Sequence, residues 1–306
     1  MGSCFLRIAG ALIFFCSLAL ARPYVQQSND LSTLRVDTSS ASGRKIPQTF
    51  FGIFFEEINH AGAGGLWAEL VSNRGFEAGT MDPWAVIGDA SIVTMSPDNI
   101  SPFERNKVAL KLDVLCDVCP VSGVGIFNPG FWGMNIEQGK NYKLIFYVRA
   151  KSPANVTASL TDATGATILA TASIMAAENW TRHKIKLQAG GASDTARLQL
   201  TANSKATLWF DQVSLMPVRT FKRHGFRKDL AKMLVSLKPA FIRFPGGCYV
   251  EGAILKNGFW WNNTVGPWEE RPGHFGDVWN YWTDDGFGFL EFLLVNVPLF
   301  TSFPFQ

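Results

Sequence analysis

The chain has 306 residues and a formal net charge of +3, and it is 47% hydrophobic and 17% charged. Those proportions exclude a disordered polypeptide and supply enough apolar residues for one large core or two modest ones. The small net charge, with no basic run or stripe anywhere, argues against nucleic acid as a partner.

Residues 1–21 place Arg7 ahead of an apolar stretch from Ile8 to Leu20 and end in Ala19-Leu20-Ala21, a small-x-small cleavage pattern. This predicts a secretory signal peptide, too short for a comfortable membrane span, and hence a secreted, extracellular chain with no membrane attachment after cleavage. Four N-x-[ST] sequons, at Asn99, Asn155, Asn179 and Asn262, fit that route as glycosylation sites. Of the five cysteines, Cys4 and Cys16 fall in the leader. Cys116-x-x-Cys119 lacks the second pair that a zinc site needs and reads as a short-range disulfide. Cys248 is then a free thiol, expected to pack near a Gly-Gly turn.

Residues 22–78 begin polar, with a strand expected over Thr33–Asp37. The run Phe50 to Ile58 is apolar up to two acids, the pattern of a parallel strand buried on both faces, with Glu56 and Glu57 at its C-terminal end. Adjacent strand residues point to opposite faces, so one of the two faces a site. A glycine-rich turn over 61–65 lacks the order of a phosphate loop. It leads into a predicted short helix over 66–74, with Leu66, Trp67, Leu70 and Val71 on one face.

From residue 79 to 217 the period changes to two, with turn residues at short intervals. Strands are expected near Val108–Val114, Gly123–Phe127, Tyr142–Val148, Val156–Leu160, Thr167–Ala172, Thr181–Leu187, Arg197–Leu200 and Ala206–Leu215, which together describe a β-sandwich. Its Phe131, Trp132, Trp180 and Trp209 are available for stacking on sugars or for packing.

Over 218–293 a helical stripe returns at Leu230, Met233, Leu234 and Leu237, closed by Lys238-Pro239, and a strand follows at Phe241–Phe244. The fold class is therefore α/β plus all-β, an α/β domain interrupted by a sandwich. Arg243 sits inside that apolar strand and is released into Pro245-Gly246-Gly247; burying its guanidinium requires a carboxylate partner. Residues 265–285 mix tryptophans with acids, as a sugar site does. The tail, 294–306, has no charge, and Pro298 and Pro304 are expected to stop a helix begun near Asp285.

The segments Gly52–Leu70, Ile242–Gly252 and Gly266–Asp277 resemble the α-L-arabinofuranosidases of glycoside hydrolase family 51, in particular the plant-type enzymes, and the likeness runs from about Asp37 to Leu293. The resemblance implies the start of an incomplete (β/α)8 barrel interrupted by an inserted carbohydrate-binding-like β-sandwich (jelly roll). It further implies retaining hydrolysis of terminal α-L-arabinofuranosyl groups on cell-wall arabinoxylan, arabinan or arabinogalactan, with no cofactor and no metal. Carried over residue by residue, Glu56, Arg243, Gly246, Gly247 and Cys248 contact the substrate, and Trp268, Glu269 and Asp277 form the rim. The acid/base and nucleophile glutamates of the family lie on later strands, beyond the end of this chain. The catalytic set within it is accordingly none, and the chain reads as C-terminally truncated and inactive alone. Two other readings remain open: a secreted glycan-binding fragment acting through the sandwich, and a non-functional truncated product.

Overall fold

A computed structural model of the chain describes residues 33–299. The expected leader at 1–21 and the last residues of the tail lie outside the described residues. The chain divides into two compact units, 1–46 and 47–306. In the described part of the first, residues 33–46 are exposed irregular chain, so the strand expected over Thr33–Asp37 does not form. Its backbone groups have no paired strand to bond, and an unpaired run does not hold extended structure against water.

The second unit opens with β1 (Ile53–Phe54). Eleven strands follow: β2 (Ala85–Ile87), β3 (Val93–Asp98), β4 (Ala109–Val114), β5 (Val124–Asn128), β6 (Met134–Ile136), β7 (Asn141–Ala150), β8 (Ala154–Thr161), β9 (Ile168–Ala176), β10 (Thr181–Gln188), β11 (Ser193–Ala202) and β12 (Ala206–Pro217). Then come helix α1 (Lys228–Ser236), β13 (Ile242–Arg243), the short helix α2 (Cys248–Glu251), the hairpin of β14 (His274–Gly276) and β15 (Tyr281–Thr283), and helix α3 (Phe289–Leu299).

Strands β2 to β12 form two antiparallel sheets, in the orders β10-β7-β12-β4-β3 and β2-β5-β11-β8-β9, with β6 also on β11. The period-two pattern explains them. In β4, Ala109, Leu110, Leu112 and Val114 are buried while Lys111 and Asp113 reach the surface. Leu110, Leu112, Leu144, Phe146, Val148, Leu208 and Phe210 of one sheet share a core with Val124, Ile126, Val156, Leu160, Leu198 and Leu200 of the other. Cys116 and Cys119 are disulfide-bonded, as their spacing suggested.

A second, smaller core joins Leu66, Trp67, Met216, Phe226, Ala231, Phe287 and Phe292, with Phe55, Leu230, Leu234, Ile242 and Phe244 packed on it. Strand β12 serves both, giving Val213 and Leu215 to the first core and Met216 to the second. This division accounts for the main departure from the sequence reading. Residues 66–74 are not helical. Trp67 packs in the small core, stacked at 6.0 Å on Phe287, whereas Val71 packs in the large one. One helical face cannot send both side chains to separate cores, so the segment runs irregularly between them.

Glu69, 1% exposed, fixes that segment to β12. Its carboxylate accepts from Ser214 Oγ (2.6 Å) and from the Leu215 and Val71 N–H groups (2.9 and 3.1 Å). Burial pushes this carboxyl up to about 7, because removal from water penalises the charged form.

Three further expectations are corrected. The strand β1 is not buried on both faces, since Phe50, Phe51 and Phe54 are exposed; among the described residues its only partner is β13, and a two-stranded sheet leaves apolar surface uncovered. The stripe on α1 is half used: Leu230 and Leu234 pack on the small core, while Met233 and Leu237 are exposed. Helix α3 runs on into the tail and includes Pro298, because a proline in the final turn removes one backbone bond without undoing the turns before it.

Replacing Glu69 by alanine leaves the Ser214 hydroxyl and the Leu215 N–H buried without an acceptor. Glu69→Ala is expected to lower stability by about 2 kcal/mol, read as a fall in the urea midpoint; an unchanged midpoint contradicts the stapling role.

Candidate functional site

Strands β1 and β13 pair in parallel, Ile53 opposite Ile242 and Phe54 opposite Arg243. The Ile53 N–H donates to the Phe241 carbonyl (2.8 Å) and the Phe55 N–H to the Arg243 carbonyl (3.1 Å). A parallel pair sends both chains out at the same end, so residues 55–62 and 244–252 leave the sheet side by side. The carboxyl ends of parallel strands are where open α/β sheets collect ligand-binding groups.

At that end the side chains of the first strand lie on the bare turn of the second. A Cβ on Gly246 would stand 1.8 Å from the Phe54 ring, and one on Gly247 would stand 1.8 Å from Glu56 Oε2. Gly247 also has φ of +65°, in the left-handed region that favours glycine. Glu56 Oε2 is enclosed and has no hydrogen-bond partner among the described residues. An enclosed carboxylate oxygen without a donor is an acceptor that a hydroxyl can complete.

Glu57 goes elsewhere. It is 7% exposed and lies against Gly62, where a Cβ would meet its Oε2 at 2.0 Å. Burial first, and then the negative charge of Asp284, push its carboxyl up to about 8. The Tyr281 hydroxyl accepts from the His60 N–H (3.0 Å) and donates to the Glu57 carbonyl (3.2 Å). Burial, reinforced by the charges of Glu57 and Glu56, raises this phenol to about 12. Tyr281 therefore lies within the field of both glutamates. The His60 ring is 4.0 Å from that of Tyr281 and 5.0 Å from Phe131, and burial lowers its pKa.

Behind this group is a buried ionic framework. Arg74, 2% exposed, donates from Nε to Asp284 Oδ2 (2.7 Å) and from Nη2 to the Trp268 carbonyl (3.1 Å), and it also bonds Gln212. Gln212 is presented by a register shift in β12 between Asp211 and Ser214. Arg271 makes a two-pronged pair with Glu291, at 2.9 Å on each side, and donates to the carbonyls of Asp285 and Gly286. His274 Nδ1 is 3.0 Å from Asp285 Oδ2. A cleft of about 400 Å³ opens on this framework, lined among others by Glu57, His60, Arg74, Tyr281 and Asp284.

The residues singled out from the sequence are distributed unevenly. Glu56, Gly246 and Gly247 are brought together. Arg243 is exposed and lies 5.3 Å over the Phe54 ring. Among the described residues it has no carboxylate partner, so the expected buried pair is corrected. Nothing described covers that face of the two-stranded sheet, and the guanidinium stacks on the ring beside it. Cys248 is free, as read, but exposed and not packed. Trp268 lies under Arg74, 4.6 Å from the guanidinium carbon. Glu269 pairs with Arg182 at 3.6 Å. Asp277 accepts from the Ala253 and Ile254 N–H groups (2.9 and 2.8 Å), and these bonds, the Ala253 one foremost, lower its pKa. The sequon residues Asn99, Asn155, Asn179 and Asn262 are exposed. Among the described residues no cluster of three metal-ligating side chains occurs, and no helix is long and apolar enough to cross a membrane.

Sequence reasoning missed His60, Arg74, Tyr281 and Asp284. The available signal was the recurrence of acids and aromatics at both ends of the chain, Glu56-Glu57 and Asp284-Asp285, with an arginine between them at Arg74.

The chain is similar to known proteins along most of its length. The family described as "Alpha-L-arabinofuranosidase 1 domain" matches residues 233–297. Alpha-L-arabinofuranosidase 2 of Arabidopsis thaliana is 56% identical over 288 residues, covering 90% of this chain and 43% of the relative. The extracellular exo-alpha-L-arabinofuranosidase of Streptomyces chartreusis is 37% identical, covering 83% of this chain and 32% of the relative. An arabinose-bound GH51 α-L-arabinofuranosidase superposes with a TM-score of 0.74 at 31% identity, over 82% of this chain and 42% of that one. The chain thus resembles GH51-type α-L-arabinofuranosidases, plant enzymes among them, and spans about two fifths of the length of the curated relatives it matches first.

The buried acids give a pH dependence with a definite sign. Glu57 and Asp211 are raised to about 8 and Glu69 to about 7, each chiefly by burial, from ordinary values of 4.5, 3.8 and 4.5. Between those values the folded chain holds more protons than the unfolded chain, so their contribution is complete below about pH 4 and lost through pH 7 to 8. The melting temperature is expected to fall from pH 5 to pH 8.5, and Glu57→Gln is expected to flatten that fall; a rise over the same interval contradicts the assignment.

Proposed function

We propose that this chain forms the sugar-recognising part of a secreted, N-glycosylated glycoside hydrolase of the α-L-arabinofuranosidase type. The substrates are terminal α-L-arabinofuranosyl groups on cell-wall arabinoxylan, arabinan or arabinogalactan. The parallel pair β1 and β13 belongs to the opening portion of a (β/α)8 barrel, and 79–217 are an inserted carbohydrate-binding-like jelly roll. The observation that carries this reading is the Glu56 carboxylate, seated on the side-chain-free Gly247 at the carboxyl ends of two parallel strands, with one enclosed oxygen unpaired. Barrel enzymes gather their working side chains at that end. A furanose hydroxyl donates to Glu56, and Arg243, Gly246 and Cys248 border the same space; Trp268 stands further off, beneath Arg74.

Retaining hydrolysis needs two carboxyl groups about 5–5.5 Å apart across the glycosidic bond. Glu56 and Glu57 contact different partners, and the resemblance assigns the acid/base and nucleophile to strands outside this chain. In this reading the chain binds the sugar without turning it over. Of the aromatic residues offered by the sandwich, Trp180 and Trp209 hold their indole N–H on Ile100 and Asp98, whereas Trp132 is 69% exposed. That exposure supports a second reading, glycan binding through the two-sheet part.

Calorimetry of the 306-residue chain with L-arabinose is expected to show binding that Glu56→Gln weakens at least about tenfold. The same preparation is expected to release no p-nitrophenol from the aryl α-L-arabinofuranoside. Turnover at an enzyme-like rate, or binding indifferent to Glu56, overturns the proposal.

A further inference from the structure

A cleft whose lining does not include Glu56 is walled by residues of the β6–β7 region, by Lys186 of β10 and by the segment that follows β12. Its volume is about 900 Å³, and its walls include Trp132, Lys140, Lys186, Arg219, Arg227 and Lys228. Lys140 is paired with Glu137 and Arg227 with Asp229. Lys186, Arg219 and Lys228 are exposed and form no ion pair among the described residues. They come from three elements: β10, the chain just past β12, and the first residue of α1.

The net charge of +3 conceals this concentration. Residues 219–228 contain Arg219, Lys222, Arg223, Arg227 and Lys228, with His224 and no acid, which corrects the impression that the chain lacks a basic run. Lys222 and Arg223, both exposed, are consecutive non-glycine residues with φ of 46° and 67°. That conformation is costly for residues with a Cβ and is kept where the surroundings impose it.

Trp132 supplies a second kind of contact. It is 69% exposed, and its ring packs on His60 and Phe131, at 5.5 and 6.2 Å between centroids. A fixed indole face among separated cations suits a chain of sugar rings that carries carboxylates: the ring stacks, and the carboxylates meet lysine and arginine. Cations spread along an open cleft also favour an extended polyanion over one small anion.

We propose that this cleft binds the uronate-bearing backbone of an acidic polysaccharide, with carboxylates on Lys186, Arg219 and Lys228 and a pyranose ring on Trp132. The choice of a polysaccharide rests on the carbohydrate reading above, but the site is separate from Glu56. It would hold the chain on a carboxylated polymer whether or not that polymer carries arabinose.

The test is affinity electrophoresis and calorimetry of the full 306-residue chain with de-esterified polygalacturonate, its fully methyl-esterified form and neutral linear arabinan. Retention on polygalacturonate is expected, with loss on the esterified form and weakening of at least about tenfold between 50 and 300 mM salt. The triple variant K186E/R219E/K228E is expected to lose at least about tenfold in affinity with L-arabinose binding intact, and Trp132→Ala is expected to lose several-fold on polygalacturonate. Lys232→Glu, exposed on the same helix but outside the cleft, is expected to bind as the parent does. The proposal is overturned by equal retention on the esterified polymer or by a triple variant that binds normally. It is equally overturned by a Lys232 variant as impaired as the triple one, or by single-stranded DNA bound as tightly as polygalacturonate. Because polygalacturonate contains no arabinose, failure here is read apart from failure at Glu56.

Discussion

The parallel register of Ile53 on Ile242 and Phe54 on Arg243 is the constraint on which the proposed site depends. It brings the end of one strand beside the Gly246-Gly247 turn of the other. Any side chain on that turn would collide with Phe54 or Glu56. The glycines thus act by what they leave out: they let the Glu56 carboxylate lie against the turn with one oxygen, Oε2, enclosed and unpaired. Leaving an acceptor in that state is unfavourable for folding. The unfavourable term is offset if a ligand hydroxyl completes the shell.

The neighbouring carboxylate shows how environment separates two adjacent glutamates. Glu57 is turned into the framework of Arg74, Asp284 and Tyr281, where burial keeps it protonated to unusually high pH. Buried arginines are tolerated there because each is saturated, Arg74 by Asp284, Gln212 and carbonyls, and Arg271 by Glu291 and carbonyls. Breaking one such set would strand a charge, at about 3–5 kcal/mol. The framework also ties the loops of 264–288 to β12, so the two cores share one strand and one ionic lattice.

Much of the all-β part was legible because its cue is local: in strands such as β4 and β7 the alternation of apolar and polar residues states which face is buried. The parallel pair was also legible, from short apolar runs ending in acids or glycines. What failed did so for tertiary reasons. Residues 66–74 carry a helical stripe, but Trp67 and Val71 are claimed by different cores. Arg243 reads as buried from its apolar neighbours, yet with two strands in the sheet its face is uncovered. Arg74 and Asp284, like His60 and Tyr281, lie more than 200 residues apart in sequence, and nothing local to any of them announces these contacts. The basic cleft was hidden by averaging, since acids elsewhere cancel the charge of residues 219–228 in the total.

The central claim is that the enclosed oxygen of Glu56 is a sugar contact. A crystal structure of the chain soaked with L-arabinose tests it most directly. The account predicts a furanose over the Gly246-Gly247 turn with a hydroxyl within about 2.5–3.0 Å of Glu56 Oε2. Arabinose bound elsewhere, with that oxygen still unpaired, would contradict it.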